Sequence, residues 1–254
     1  TGVTILDDML GAANNKAVVI FADYESAGDG TLTVWTGKTI TSNKSDVIIT
    51  AWDLDLDGSL TAGTADIHVY PAEAAQTIGL GQTAKNMHID ENEVERLTCA
   101  GLWIGNAVGK DMTVHGISKT NSNTVEGRVS LVAQLDDARI LFETAASTFY
   151  ELVAQADNGL VDEVDITTTV GVMYLDGDME NDDGDGTNTV GFTDGCTLRA
   201  KTFMTLESTT GSITTAGALT LEAGDGIAIL DDLTSTGTAG AKPIVINADN
   251  DSTG

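Results

Sequence analysis

The segment Leu131-Val132-Ala133-Gln134-Leu135-Asp136 returns as Leu152-Val153-Ala154-Gln155-Ala156-Asp157, about 21 residues further on. In the same way Thr205-Leu206-Glu207-Ser208 returns as Thr220-Leu221-Glu222-Ala223 after about 15 residues. A unit this short holds only a few short strands and cannot bury its own apolar face. It must stack on its neighbours, as the coils of a parallel β-solenoid do. At about 4.8 Å per coil and roughly 20 residues per coil, the chain makes on the order of a dozen coils and a rod about 60 Å long.

Strand signals fill the chain and helical periodicity is almost absent. Val18-Val19-Ile20-Phe21, Leu32-Thr33-Val34, Val47-Ile48-Ile49, Ile67-His68-Val69, Met112-Thr113-Val114, Val129-Ser130-Leu131-Val132, Ile140-Leu141-Phe142, Val172-Met173-Tyr174-Leu175, Leu219-Thr220-Leu221 and Ile244-Val245-Ile246 are β-branched or alternate with Thr. Gly, Asp or Asn bounds most of them, which is the strand signature. The exception is His88 to Thr98, where Asp90 followed by Glu93 imitates a capping box and predicts one short helical turn.

A second repeat is longer. Ile5-Leu6-Asp7-Asp8 matches Ile229-Leu230-Asp231-Asp232, and Lys16 to Gly28 lines up with Lys242 to Gly254. The spacing is about 226 residues, so residues 1–28 are equivalent to 227–254. A looser relative, Val172 to Asp176 followed by Gly184-Asp185-Gly186-Thr187, echoes Val19 to Asp23 followed by Gly28-Asp29-Gly30-Thr31. The chain is expected to be one elongated segment, 1–254, of a longer tandem array.

Charge narrows the partners. The 254 residues carry 39 Asp plus Glu against 12 Lys plus Arg, a formal charge of −27. Such a chain is repelled by nucleic acid and by an anionic lipid leaflet. With 41% hydrophobic residues the acidity does not mean disorder. The longest apolar run, Ala17 to Ala22, is far below the roughly 20 residues of a membrane span. Membrane insertion is therefore not expected, and no signal-peptide pattern opens the sequence. High net charge keeps a protein soluble by a repulsion that salt screens, which fits an extracellular or cell-surface setting. Cys99 and Cys196 lie about 97 residues apart, four or five coils or around 20 Å along a rod. A disulfide needs Cα atoms within about 7 Å, so both are expected to be unpaired core residues.

The stretch Gly30-Thr31-Leu32-Thr33-Val34, Val47-Ile48-Ile49-Thr50-Ala51, Gly58-Ser59-Leu60-Thr61-Ala62-Gly63, Thr77-Ile78-Gly79-Leu80-Gly81, Glu91 to Thr98, Gly101-Leu102-Trp103-Ile104-Gly105 and Met112-Thr113-Val114-His115-Gly116-Ile117 resembles the repeats of filamentous-haemagglutinin-like proteins. In those proteins a Gly-Leu-Gly strand, an acidic turn, a Leu-x-Ile-Gly strand and a Thr-Val-x-Gly-Ile strand follow in that order. The similarity is clearest over residues 28–117 and weaker over 197–254. It implies a right-handed parallel β-helix, exported and built into adhesive or structural rods, with no catalytic residues to carry over. Two departures stand out: the 226-residue repeat is longer and more regular than the arrays usual in bacterial members, and a secretion-domain signature is missing.

Two acidic segments invite a metal reading. Asp53-Leu54-Asp55-Leu56-Asp57-Gly58 matches the first half of a calcium loop, but its twelfth position is Thr64 where that loop needs a bidentate Glu. It reads better as a strand with Leu54 and Leu56 inward. The denser cluster is Asp176, Asp178, Glu180, Asp182, Asp183 and Asp185, with Gly184 and Gly186 giving the turn. These carboxylates repel one another unless a hard cation or salt relieves them, which makes calcium the candidate ion and a solvated acidic loop the default. No cofactor is required. The loops at Asp23 to Asp29 and Asp249 to Asp251 would be weaker copies.

Polysaccharide lyases and hydrolases share the β-helix, but with this many acids a carboxylate pair carries no signal, and His68, His88 and His115 lack metal-ligand spacing. The chain is read as a non-enzyme. An ice-binding or carbohydrate-binding solenoid is the alternative. Thr31-x-Thr33, Thr39-x-Thr41, Thr167-Thr168-Thr169, Thr187-x-Thr189 and Thr214-Thr215 would have to share one flat face for ice. Trp35, Trp52 and Trp103 are expected in the core or at column ends; exposed, they would suggest sugar stacking or lateral packing between fibres. The expected function is a structural or adhesive repeat segment of a secreted or cell-surface filament. Its partners are neighbouring repeats or identical subunits, head to tail, with lateral fibre contacts.

Overall fold

The protein is described by a computed structural model, over residues 2–12, 16–182, 186–237 and 242–251. It is all-β. Twenty-nine strands and two short helices are present among the described residues, and the strand ladders are parallel. All ten strands expected from the sequence form.

The strands build five sheets of three, eight, four, nine and five strands. The nine-stranded sheet runs in chain order from Val18–Phe21 to Gly226–Ile229. Up to Asp66–Pro71 the chain enters the three-, four- and nine-stranded sheets in turn. From Ile140–Phe142 onward it enters the eight-, five- and nine-stranded sheets in turn. Within the nine-stranded sheet, steps between ladder partners run from 20 residues (Val47 to Ile67) to 35 (Ile67 to Leu102), so the cycle is less regular and longer than the short repeats imply.

Alternation explains the core. Inward positions stack like on like: Val47, Ile67, Leu102, Val129, Leu152, Met173 and Met204 are successive ladder partners and all are buried. Two positions on, Ile49, Val69, Ile104, Leu131, Ala154, Leu175 and Leu206 repeat the pattern. One contiguous apolar cluster draws on residues from Ile20 to Ala223. Asp53–Leu56 is a strand with Leu54 and Leu56 buried, as its alternation predicts. Cys99 and Cys196 are buried and unpaired, and burial pushes the Cys99 thiol up to about 12.

The tryptophans correct the sequence reading, because none of the three joins the buried core and Trp35 is 56% exposed. Trp103 takes an outward position of the strand Gly101–Ile104, whereas Trp35 and Trp52 lie just past the ends of Thr31–Val34 and Val47–Ala51.

Irregularity concentrates between residues 78 and 122. The predicted helix is Glu91–Glu95, with both halves of the capping box formed: Asp90 accepts from the Glu93 amide and Glu93 accepts from the Asp90 amide. A second helix, Lys119–Ser122, is capped by Ser118 and Asn121 in the same reciprocal way. The four-stranded sheet ends at Leu97–Thr98 and the five-stranded sheet begins at Ser147–Phe149; the first helix immediately precedes Leu97–Thr98, and the second lies along the chain between those two strands. Just before, Ile78–Gly81 pairs in parallel with Met87–Ile89 across a connection of residues 82–86. Parallel neighbours ordinarily need a dozen or more connecting residues. Gly79 permits the shortcut, since a Cβ there would lie 1.9 Å from the Thr83 carbonyl oxygen. Gly81 completes it with φ +87°.

The long repeat maps strand onto strand. Val3–Ile5, Met9–Leu10 and Val18–Phe21 correspond in sequence to Gly226–Ile229, Leu233–Ser235 and Ile244–Asn247. The first set occupies the three-, four- and nine-stranded sheets, and the second the nine-, eight- and five-stranded sheets. Each pair is 26 strands apart, and 26 is not a multiple of three, so equivalent strands land one sheet out of phase.

Candidate functional site

The acidic loop after Met173–Asp176 is bonded more tightly than its charge suggests. Asp176 and Asp178 are 4% and 1% exposed. The Asp178 amide donates to Asp176 Oδ1 at 3.0 Å, while Gln155 Nε2 and the Tyr174 hydroxyl donate to Asp176 Oδ2 at 3.1 and 3.2 Å. Burial pushes the Asp176 carboxyl up against these bonds, which pull it down. Burial and the hydrogen bond to Glu207, 2.6 Å away, raise the Tyr174 hydroxyl. Asp178 Oδ2 accepts the Thr210 amide at 2.6 Å. The Asn188 amide nitrogen meets the Asp182 carbonyl and Thr210 Oγ1, each at 2.7 Å, and Asp178 Oδ1 at 3.4 Å. The Asn188 side chain thus ties the loop carbonyl, Thr210 and Asp178 together. Glu180 and Asp182 follow in the same loop, and Asp183 and Asp185 lie outside the described residues.

Carboxylates come close enough to share an ion at Asp23, Glu25 and Asp29, whose ligand atoms lie within 4.8 Å of one another. Asp23 is buried and already accepts the Ala27 and Gly28 amides at 3.1 and 3.0 Å. Among the described residues, the loop ranked lower from sequence is the one whose carboxylates come within sharing distance of an ion.

A groove of about 280 Å³ opens on the outer face of the nine-stranded sheet. Asp66, His68, Gly101, Trp103, Arg128, Ser130 and Glu151 line it, drawn from four neighbouring strands. Ladder register explains its shape. In one row Asp66 pairs with Gly101 and Arg128 with Glu151; in the next, His68, Trp103 and Ser130 are consecutive partners. Gly101 and Ser130 supply little or no side chain between large neighbours, and the gap between them is the groove. Trp103 Nε1 donates to the Gly105 carbonyl at 3.0 Å, which fixes the indole. His68 lies 6.4 Å from that ring and 5.9 Å from Tyr70, whose hydroxyl is 3.2 Å from His68 Nδ1. Arg128 and Glu151 approach to 3.9 Å.

Trp103 and His68 are the groove residues that the sequence singles out. Gly101 and Ser130 fall within strands the sequence marks, whereas no local motif marks Asp66, Arg128 or Glu151; register alone brings the five together. The histidines do not converge: His68 is in the nine-stranded sheet, whereas His88 and His115 pair with Gly79 and Gly81 on opposite sides of one strand. The threonine pairs also separate, Thr31 and Thr33 on the three-stranded sheet, Thr39 and Thr41 on the four-stranded, Thr167 and Thr168 on the five-stranded.

No known protein family, curated protein or solved structure matches the chain.

Proposed function

We propose that the five sheets are the faces of one right-handed parallel β-solenoid and that the chain is a non-enzymatic repeat segment of an extracellular filament or adhesin. The solenoid reading is supported by the three-sheet cycles in which the chain re-enters the sheets, up to Pro71 and again from Ile140, and by the contiguous core. Right-handedness follows the general rule for parallel crossovers. The repeat reading is carried by a single observation, the strand-for-strand match of Val3–Ile5, Met9–Leu10 and Val18–Phe21 with Gly226–Ile229, Leu233–Ser235 and Ile244–Asn247.

The mechanism is mechanical. Backbone ladders run along the rod, stacked aliphatic columns exclude water beneath them, and a charge of −27 per chain holds neighbouring rods apart until cations screen it. Neighbouring repeats or identical subunits meet head to tail, where ladders of one parallel sheet continue into the next. The resemblance to filamentous-haemagglutinin-like repeats supports the same assignment and the cell-surface location.

Negative-stain electron microscopy across a series of salt concentrations tests this. Rods that lengthen by end-to-end joining as salt rises are expected. Isolated globular particles at every salt and protein concentration would overturn the reading.

A further inference from the structure

The groove lined by Asp66, Trp103, Arg128 and Glu151 has the chemistry of a ligand site, and we propose that it binds a neutral glycan. This deepens the adhesive reading above and rests on it. The groove crosses four stacked strands, a span of about 14 Å between the outermost backbones, enough for a di- or trisaccharide. Trp103 offers an apolar ring at a fixed orientation, suited to the C–H face of a pyranose. Around it stand two acceptor-only carboxylates, Asp66 and Glu151, a donor-only guanidinium, Arg128, and the hydroxyl of Ser130.

That mixture selects the ligand class. A uronate or sulfate brought to Arg128 also meets Asp66 and Glu151, and approaches a chain of charge −27. A cation brought to the carboxylates meets Arg128. A sugar hydroxyl both donates and accepts, so neighbouring hydroxyls use the carboxylates and the guanidinium together without bringing a further charge into the groove. Gly101 lets the Asp66 carboxylate lie over the groove floor, since a Cβ there would come within 2.8 Å of it.

Calorimetric titration of the whole chain with cellohexaose, maltohexaose, laminarihexaose and mannohexaose tests the proposal, with hexagalacturonate and hexalysine as charged comparisons. Saturable binding of at least one neutral hexasaccharide is expected, at least about tenfold tighter than either charged probe. Gly101→Val should fill the groove while Val suits a strand, and Trp103→Ala should remove the ring. Each should weaken binding about tenfold or more with circular dichroism and melting close to those of the parent chain. Failure of all four neutral probes, preference for a charged probe, or neutral binding untouched by both folded variants would overturn it. Rods that assemble without binding sugar would sink this proposal alone, and sugar binding without assembly would sink the filament reading alone.

Discussion

Glu93 Oε1 accepts the backbone amide of Leu56 at 2.9 Å, and Arg96 donates to the Leu56 carbonyl. The helix Glu91–Glu95 and its C-cap Arg96 thus satisfy with side chains the two backbone groups of Leu56. Glu93 also caps its own helix, so one buried carboxylate serves two elements.

Burial pushes the Glu93 carboxyl from 4.5 up to about 7. An acid raised in the folded state contributes stability that is complete below its unfolded pKa and is lost as pH climbs to the folded one. Between pH 4.5 and 7 this amounts to about 3 kcal/mol. Chemical denaturation at pH 5 and pH 8 should show the parent chain less stable at pH 8. Glu93→Gln should be less stable than the parent at pH 5, by about 1 kcal/mol for the lost cap bond, yet much flatter between the two pH values. An unchanged slope in the variant would assign the pH dependence to other groups.

Gly79→Ala should cost about 3 kcal/mol or more, because its Cβ would collide with backbone rather than with a side chain that could turn away. Thermal melting checks this. Gly37→Ala is the control, since Gly37 has open space around it and its cost is only that of φ +74°.

Asp162 is fully buried between its ladder partners Phe142 and Phe192, and neither carboxylate oxygen has a hydrogen-bond partner among the described residues. Burial raises this carboxyl well above its ordinary range. Asp162→Leu is expected to stabilise the chain by about 1–3 kcal/mol at neutral pH, and less in mild acid where the native carboxyl is protonated. A lower melting temperature for Asp162→Leu at pH 7 would contradict this.

Asp178 holds the Thr210 amide and the Asn188 side chain in place. Its removal by Asp178→Ala should cost about 2 kcal/mol equally with calcium and with chelator. A penalty seen only with calcium would support that loop as a metal site.

Aliphatic alternation made ten strands and their inward faces legible in the sequence, and the Asp90–Glu93 spacing did the same for the Glu91–Glu95 cap, because each depends on residues within a few positions of one another. Ser118 and Asn121 cap the second helix without the Glu or Gln that signals a capping box, and so it was not apparent. The fold-back of Met87–Ile89 onto Ile78–Gly81 hides behind a Gly-Leu-Gly pattern that reads equally well as an ordinary strand. The groove was the least visible element. Asp66, Arg128 and Glu151 meet through the 35- and 27-residue steps that separate Ile67, Leu102 and Val129, and periodicity cannot fix such uneven steps.

Spin-label distances along the outer face test the stacked architecture most directly. Ile48, Val153, Thr205 and Ala228 occupy one outward row of the nine-stranded sheet. With Cys99 and Cys196 replaced by Ala, backbone separations from Ile48 of about 19, 29 and 34 Å to Val153, Thr205 and Ala228 are predicted, one strand spacing per ladder step. Distances that fail to lengthen in that order would contradict the stacked parallel ladder and the solenoid built on it.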